Sequence, residues 1–401
     1  MARILKKVYV TKKAEETIKN AHPWVYSGEI AKKDEGINNG DIIDVYSLKD
    51  SFLGSAFYND NSKIILRMIS RNANDKFDRD FFKRRIEYAI NYRMMIMNNM
   101  DAVRLIYGEA DELPGLTVDK FHDILSVQIL SLGIDKRRDM ILPLLKEVLE
   151  ERNFKIKGIY LRNDVDIRLK EGLIEEKKWF LKDDDVKDEV IIEENNLKYY
   201  VDFINGQKTG YFLDQKNNRL IVSMISKDKT VLDCCTHTGS FAMNAKIGGA
   251  KRVVASDISS KALMDAKRNF LLNNLEIETI ESDVFDLLEK ISKEKKKEFD
   301  MIILDPPPFT KSRKTIDKAL KGYEELNYLA MKALPRGGIL VSASCSHFAT
   351  KDLFLKAIHK ASIKADVKLK QVISLGASPD HPVLIGVDET EYLKFFIFQV
   401  F

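Results

Sequence analysis

Val231-Leu232-Asp233-Cys234-Cys235-Thr236-His237-Thr238-Gly239-Ser240-Phe241 runs from an apolar strand through a turn of small residues into a helix. Small residues let backbone approach a ligand closely, and a helix N-terminus offers N–H groups that lack intrahelical partners. Of the glycines in a dinucleotide-binding fingerprint only Gly239 is present, which disfavours a nicotinamide-dependent oxidoreductase. The same strand-then-helix texture repeats downstream. Strands are predicted at 230–235, 252–257, 277–282, 299–305 and 338–344, with helical spacing at 241–247, 261–272, 284–292, 316–334 and 351–365. Repeated units of this kind imply a parallel sheet covered on both faces, with a ligand at the carboxyl ends of its strands. The last run, 392–401, is strand-like with no helix after it.

Upstream the texture differs. Residues 1–72 alternate apolar and polar positions in short runs (7–10, 41–46, 52–59, 63–69), separated by Gly and Asn turn signals, as in a small β barrel or sandwich. Between 73 and 185 a basic amphipathic helix (80–97) precedes strands at 104–107, 117–121 and 124–130, a helix at 136–152 and a strand at 158–162. The charged stretch 182–189 reads as a linker. The expected fold is therefore multi-domain α/β: a small β domain (1–72), a small α+β domain (73–185) and a C-terminal Rossmann-like domain (186–401).

An apolar fraction of 45% and a charged fraction of 31% are those of a globular chain. No apolar run reaches the roughly 18 residues of a spanning helix, and the first residues, Met1 to Lys7, lack the apolar core of a signal peptide, so no membrane partner is expected. Of three cysteines two are adjacent, a poor arrangement for a disulfide, which points to a reduced cytoplasm. No His/Cys spacing suits a metal. The net charge of +4 hides an uneven distribution: the first hundred residues carry roughly +5 and the next hundred are acidic by a similar margin. Lys6, Lys7, Lys12, Lys13, Lys32 and Lys33 are candidates to grip RNA phosphates, with a solvated surface as the alternative. Trp24 is read first as a core aromatic and second as a base-stacking residue.

Carboxylates stand at successive strand ends. Asp257 lies about 20 residues beyond the first turn, where it can bind the ribose hydroxyls of an adenosyl ligand with Ser259 nearby, or cap the following helix. Asp283 can accept an adenine amino group while Val284 or Phe285 packs on the ring; it too can be a cap. The fourth strand ends in Ile303-Leu304-Asp305-Pro306-Pro307-Pro308-Phe309. Three prolines cannot serve a sheet ladder, so the stretch is a rigid loop that holds Asp305 at the mouth of a site. The fifth ends in Ser342-Ala343-Ser344-Cys345-Ser346-His347.

Asp-Pro-Pro after the fourth strand resembles motif IV of class I methyltransferases acting on nitrogen or on RNA bases. Further stretches are similar, in order along the chain, to the bacterial ribosomal RNA large-subunit methyltransferase I family. They are His22-Pro23-Trp24-Val25, Leu113-Pro114-Gly115-Leu116-Thr117-Val118-Asp119, Gly206 to Gln215 with Asn218-Arg219, Lys321 to Asn327, Asp380-His381-Pro382-Val383 and Tyr392-Leu393-Lys394. The resemblance implies an N-terminal PUA domain, S-adenosylmethionine as cofactor and large-subunit ribosomal RNA as partner. It further implies a cofactor site made of Phe212, Arg219, Asp233, Thr238, Gly239, Asp257, Ser259, Asp283, Val284 and Asp305. For Arg219, a place near the cofactor carboxylate and a structural salt bridge stand equal. The sequence leaves the oligomeric state open, a homodimer included.

Cytosine C5 is too weak a nucleophile to take a sulfonium methyl group unaided, and a thiolate adding at C6 activates it. In the resembling family the cysteine at the position of Cys345 is the proposed nucleophile, and Asp305 would hold the base; a buried structural cysteine is the alternative. Pro308, His347 and the lack of a Pro-Cys at the Asp305 motif depart from related patterns, so product release cannot use a second cysteine. The rival readings are guanine N7 methylation on the same fold, which needs no cysteine, and a non-catalytic RNA-binding or ribosome-assembly factor.

Overall fold

The computed structural model describes residues 4–310 and 312–401; Met1, Ala2 and Arg3, part of the stretch read as lacking a signal peptide, lie outside them. The chain forms two compact units. The first holds the chain up to Ile192 together with Val201–Leu213 and Pro379–Thr390; the second holds Glu193–Tyr200, Asp214–Ser378 and Glu391–Phe401.

The first unit contains two sheets. One has six strands in the order Trp24–Tyr26, Ile64–Ser70, Phe52–Tyr58, Ile42–Tyr46, Lys7–Val10 and Ile30–Lys33. Its alternating residues Val8, Val10, Ile43, Val45 and Leu66 form a core with Ala14 and Ile18 of the helix Lys12–Lys19, which the alternation pattern did not reveal. The other sheet has five strands in the order Glu176–Lys182, Gly158–Asn163, Ile124–Ile129, Leu116–Phe121 and Ala102–Tyr107, and it packs with the helices Arg79–Ile96 and Arg138–Glu150.

The two sheets lie in one compact unit and share part of a core. Phe57 and Ile69 of the six-stranded sheet are buried in the core of the five-stranded one. A polar seam runs beside them: buried Glu171 accepts from Asn59 Nδ2 (3.1 Å), Ser62 Oγ (2.6 Å) and Arg67 (2.9 Å). Arg67 also reaches Glu109 (3.0 Å), which accepts from the Trp24 indole N–H at 2.9 Å. Trp24 is thus tied into this seam.

Two stretches expected in the C-terminal domain instead complete the first unit. Asp380 is buried and accepts the Arg104 N–H (3.0 Å), while its carbonyl accepts from Arg93 (2.9 Å). The Thr209 hydroxyl donates to Asp119, itself held by both arms of Arg104 (2.8 Å each). Buried polar groups of this kind must find partners, and these find them on the five-stranded sheet.

The second unit is built on one seven-stranded sheet, here numbered β1 Thr230–Cys234, β2 Arg252–Asp257, β3 Glu278–Glu281, β4 Met301–Leu304, β5 Ile339–Ser344, β6 Leu369–Leu375 and β7 Lys394–Val400. Their spatial order is β3-β2-β1-β4-β5-β7-β6. The first five run parallel and β7 is antiparallel to both neighbours. The helices are α1 Lys216–Ile225, α2 Ser240–Ile247, α3 Ser260–Leu272, α4 Val284–Ser292, α5 Ile316–Ala333 and α6 Lys351–Ala365. Central strands such as Met301–Leu304 are buried throughout, the continuous apolar run of a parallel strand covered on both faces. The edge strand β6 is half exposed and lacks that pattern, so the sequence did not announce it. Within the described residues no helix is long and apolar enough to cross a membrane.

The seam yields a first prediction. Glu171→Ala leaves the Arg67 guanidinium buried with one carboxylate fewer, so the unfolding free energy measured in urea falls by about 3 kcal/mol, and Glu171→Gln recovers part of the loss.

Candidate functional site

The carboxyl ends of β1, β2, β4 and β5 gather the chemistry of the second unit. At the end of β1, Asp233 is fully buried, and its Oδ2 accepts from Thr236 Oγ1 (2.5 Å) and from the Ala242 N–H (3.0 Å). Both donors belong to the turn and helix that follow, so the carboxylate folds the turn back on itself. Cys235, His237 and Gly239 all take positive φ, of 60°, 51° and 79°. Such backbone persists only where its surroundings fix it. Asp257, at the end of β2, supplies one constraint by accepting the His237 N–H through Oδ2 (2.9 Å) and the Ser259 N–H through Oδ1 (2.9 Å). Buried Asn269 of α3 supplies another by donating to the Thr238 carbonyl (3.0 Å). Gly239 is obligatory on two grounds: its φ, and a Cβ that would lie 2.3 Å from Phe270.

The fourth carboxylate, Asp305, follows β4 and accepts from Gln215 Nε2 at 3.1 Å. Gln215 is oriented by Asn218 Nδ2 (2.6 Å), which also donates to the Gly376 carbonyl (3.1 Å). The triple-proline loop is packed by an aromatic stack: Phe309 lies 6.2 Å from Phe285 and 4.5 Å from Tyr323. Gly322 makes room for it, since a Cβ there would lie 3.0 Å from the Phe309 ring.

On neighbouring β5, Cys345 follows the last strand residue, Ser344. The Tyr323 hydroxyl bonds both flanking serines, Ser344 Oγ at 2.9 Å and Ser346 Oγ at 2.8 Å. Burial pushes the Tyr323 hydroxyl up from its ordinary value, so it stays protonated and keeps this bridge. Lys394, buried at the start of β7 opposite Ser344, donates to the carbonyls of Ser346 (2.6 Å) and Tyr392 (2.8 Å). Cys345 is half exposed, whereas Cys234 is fully buried. Burial pushes the thiols of both Cys234 and Cys235 well above the ordinary range, which makes them poor nucleophiles.

The structure thus brings together Asp233, Thr238, Gly239, Asp257, Ser259, Asp283, Val284, Asp305 and Cys345 at strand ends of one sheet. Ser259 caps α3 (from Ala262 N–H, 3.2 Å), and Asp283 caps α4 through Oδ1 (from Phe285 N–H, 2.8 Å). Asp257 is not the cap; it pins the turn instead. Arg219 departs from the cofactor expectation. It is buried and held by both oxygens of buried Glu194 (2.6 and 2.8 Å), the salt bridge that the sequence left as the equal alternative. Phe212 belongs to the first unit, where Lys208 Nζ stands 4.5 Å over its ring. Thr236, Gln215, Asn218, Asn269, Tyr323 and Lys394 were given no site role from sequence, although all but Asn269 lie in the stretches quoted there. Their contributions are hydrogen bonds, for which residue type and spacing carry little signal.

The six candidate lysines are all exposed in the first unit. Lys32 and Lys33 pair across from Tyr9 and Val8 on adjacent strands, and Lys7 and Lys32 lie over the Tyr46 and Tyr9 rings at 4.8 and 4.0 Å. Lys12 and Lys13 stand on the helix and pair with Glu16 (3.9 Å) and Glu29 (2.9 Å).

Comparison with known proteins agrees with this geometry. Residues 177–399 match the S-adenosylmethionine-dependent methyltransferase family, and residues 8–71 match the PUA-like domain. The ribosomal RNA large subunit methyltransferase I of Pseudoalteromonas atlantica is 39% identical over 96% of this chain and 97% of its own length. The protein of that description from Enterobacter sp. is 36% identical over 98% and 99%. Among solved structures, a Streptococcus mutans chain described as a SAM-dependent methyltransferase superposes with a TM-score of 0.81 at 23% identity, covering 98% of this chain and 99% of that one.

The residues present fit S-adenosylmethionine. Asp233 Oδ1 is buried with no hydrogen-bond partner, an acceptor suited to the ammonium group of that cofactor. Burial also pushes the Asp233 carboxyl up to about 7, against ~3.9 in an unfolded chain. Between those values the native state binds a proton that the unfolded state has lost, so the ligand-free protein loses stability as pH rises from about 4 to about 7. Asp233→Asn removes that penalty. At pH 8 the ligand-free variant should be more stable in denaturant unfolding by about 1–2 kcal/mol, while calorimetry should find S-adenosylmethionine bound at least about tenfold more weakly.

Proposed function

Because the chain belongs to the ribosomal RNA large subunit methyltransferase I family, we propose that it methylates C5 of a cytosine in large-subunit ribosomal RNA, with Cys345 as the nucleophile. The observation that carries this reading is the position of Cys345. Like Cys235 it is partly exposed, but it stands at the end of β5, next to the strand that delivers Asp305, whereas burial pushes the thiols of Cys234 and Cys235 up and away from the thiolate form.

The division of labour follows from the side chains. Asp233, Thr238, Gly239, Asp257, Ser259, Asp283 and Val284 would hold the cofactor, with Asp233 facing its cationic end and Val284 its ring. When bound, S-adenosylmethionine supplies an electrophilic methyl group on a sulfonium. Cys345 Sγ adds to C6 of the base and moves the electron pair of the C5=C6 bond toward C5. Asp305, kept in place by Gln215, hydrogen-bonds the pyrimidine edge and stabilises the charge that develops. Loss of the C5 proton and departure of Sγ restore the ring. The base must be extruded or single-stranded to reach both groups. The exposed lysines of the PUA-like domain would grip phosphates and set position without touching the chemistry.

Nucleoside mass spectrometry of large-subunit RNA from cells lacking the gene, incubated with the protein and labelled S-adenosylmethionine, tests the reading. Label in 5-methylcytidine, reduced at least about a thousandfold by Cys345→Ala with cofactor binding intact, is the expected result. Label in 7-methylguanosine, insensitive to that substitution, would overturn it.

A further inference from the structure

A lysine with both a buried ammonium and a strand-fixed position is uncommon, because burying an unpaired charge costs several kcal/mol. Lys394 has both features. It stands opposite Ser344 in the β5–β7 ladder, and its Nζ reaches past Cys345 to the carbonyl of Ser346 at 2.6 Å. A second bond to the Tyr392 carbonyl (2.8 Å) fixes the ammonium from its own strand. On the far side the Tyr323 bridge pins Ser344 and Ser346, so the residues on either side of Cys345 are held while its own side chain stays half exposed.

We propose that Lys394 is a positioning residue whose ammonium holds Cys345 as its thiolate. This deepens the reading of Cys345 as nucleophile and rests on it. Two carbonyls satisfy two of the three N–H donors but neutralise no charge; among the described residues, Glu391 and the Cys345 thiol, on giving its proton to solvent, act on the ammonium, Cys345 the more strongly. Lys394 keeps its own proton throughout. Burial lowers the Lys394 amine to about 8, and the Cys345 charge acts to raise it again, so it remains mostly protonated at neutral pH. Other ionisable groups stand on the neighbouring elements: Glu391 and Tyr392 ahead of β7, Tyr323 on α5, Asp305 after β4, His347 after β5 and Lys351 on α6. Of these, Glu391 supports the ammonium and competes weakly with the thiolate, and the Tyr323 hydroxyl stays neutral. The same cation would stabilise Sγ as it departs from C6, a step for which this chain has no second cysteine at the Asp305 loop.

The test is the rate of iodoacetamide alkylation of Cys345 against pH in the full-length protein without RNA, read by mass spectrometry of the Cys345 peptide. In the wild type the inflection should fall clearly below the ~8.5 of a free thiol. Lys394→Met should raise it by a unit or more, about a tenfold slower reaction at pH 7, whereas Lys394→Arg should stay within about threefold of wild type. Continued protection of Cys234, which is fully buried, reports that the fold is intact. Superimposable wild-type and Lys394→Met profiles would overturn the proposal even if 5-methylcytidine is formed. Should Lys394→Met not fold, a wild-type inflection at or above the free-thiol value would overturn it by itself. A shifted profile supports the pairing even if the RNA label appears in another nucleoside, so this failure and that of the cytosine reading are separable.

Discussion

The carboxylate of Asp233 is buried where water cannot solvate it, and much of the cofactor side of the sheet is arranged around that fact. Its Oδ2 is satisfied only by groups from its own downstream turn, Thr236 and Ala242, so the chain must reverse within a few residues of β1. That reversal forces positive φ at Cys235, His237 and Gly239, a conformation that isolated residues of the first two types avoid. Asp257 and Asn269 then hold the turn from β2 and α3. Four elements are therefore fixed relative to one another by polar contacts converging on a loop with little apolar burial of its own.

The other end of the site obeys a different constraint. Around Cys345 the strand end is gripped by neutral and cationic donors: one tyrosine hydroxyl, two serines and a buried lysine. The cofactor end is thus rich in acceptors and the Cys345 end in donors. An acceptor-lined cavity suits a ligand carrying positive charge. A donor-lined one suits a group that is negative in the attacking state.

The parallel sheet and its site were legible because they depend on period and punctuation: apolar runs of strand length, helical spacing after each, and carboxylates at the strand ends. The Asp305 loop was legible because three prolines exclude every ladder-forming alternative. What escaped was set by tertiary contact. The helix Lys12–Lys19 carries few apolar residues and buries only Ala14 and Ile18, so its period is faint. Thr209 and Asp380 sit in the first unit because of partners on the five-stranded sheet that no local pattern could indicate. The six- and five-stranded sheets read as two domains, yet Phe57 and Ile69 cross between them, and a core residue does not declare which core it will join.

Arg219 and Asp233 show why burial alone does not identify a site. Both are ionisable and nearly inaccessible; sequence placed Asp233 beside the cofactor and left Arg219 equally a cofactor or a salt-bridge residue. The guanidinium of Arg219 meets the two oxygens of Glu194, itself fully buried, and turning it to a ligand would break both hydrogen bonds of that pair. Asp233 keeps one oxygen without a partner, at a cost that folding by itself gives no reason to bear. The first arrangement joins Glu194 to α1. The second leaves an acceptor open to a ligand. The informative quantity at a buried polar group is therefore the bonding capacity it has left, and by that measure Asp233 points to the cofactor while Arg219 points to the fold.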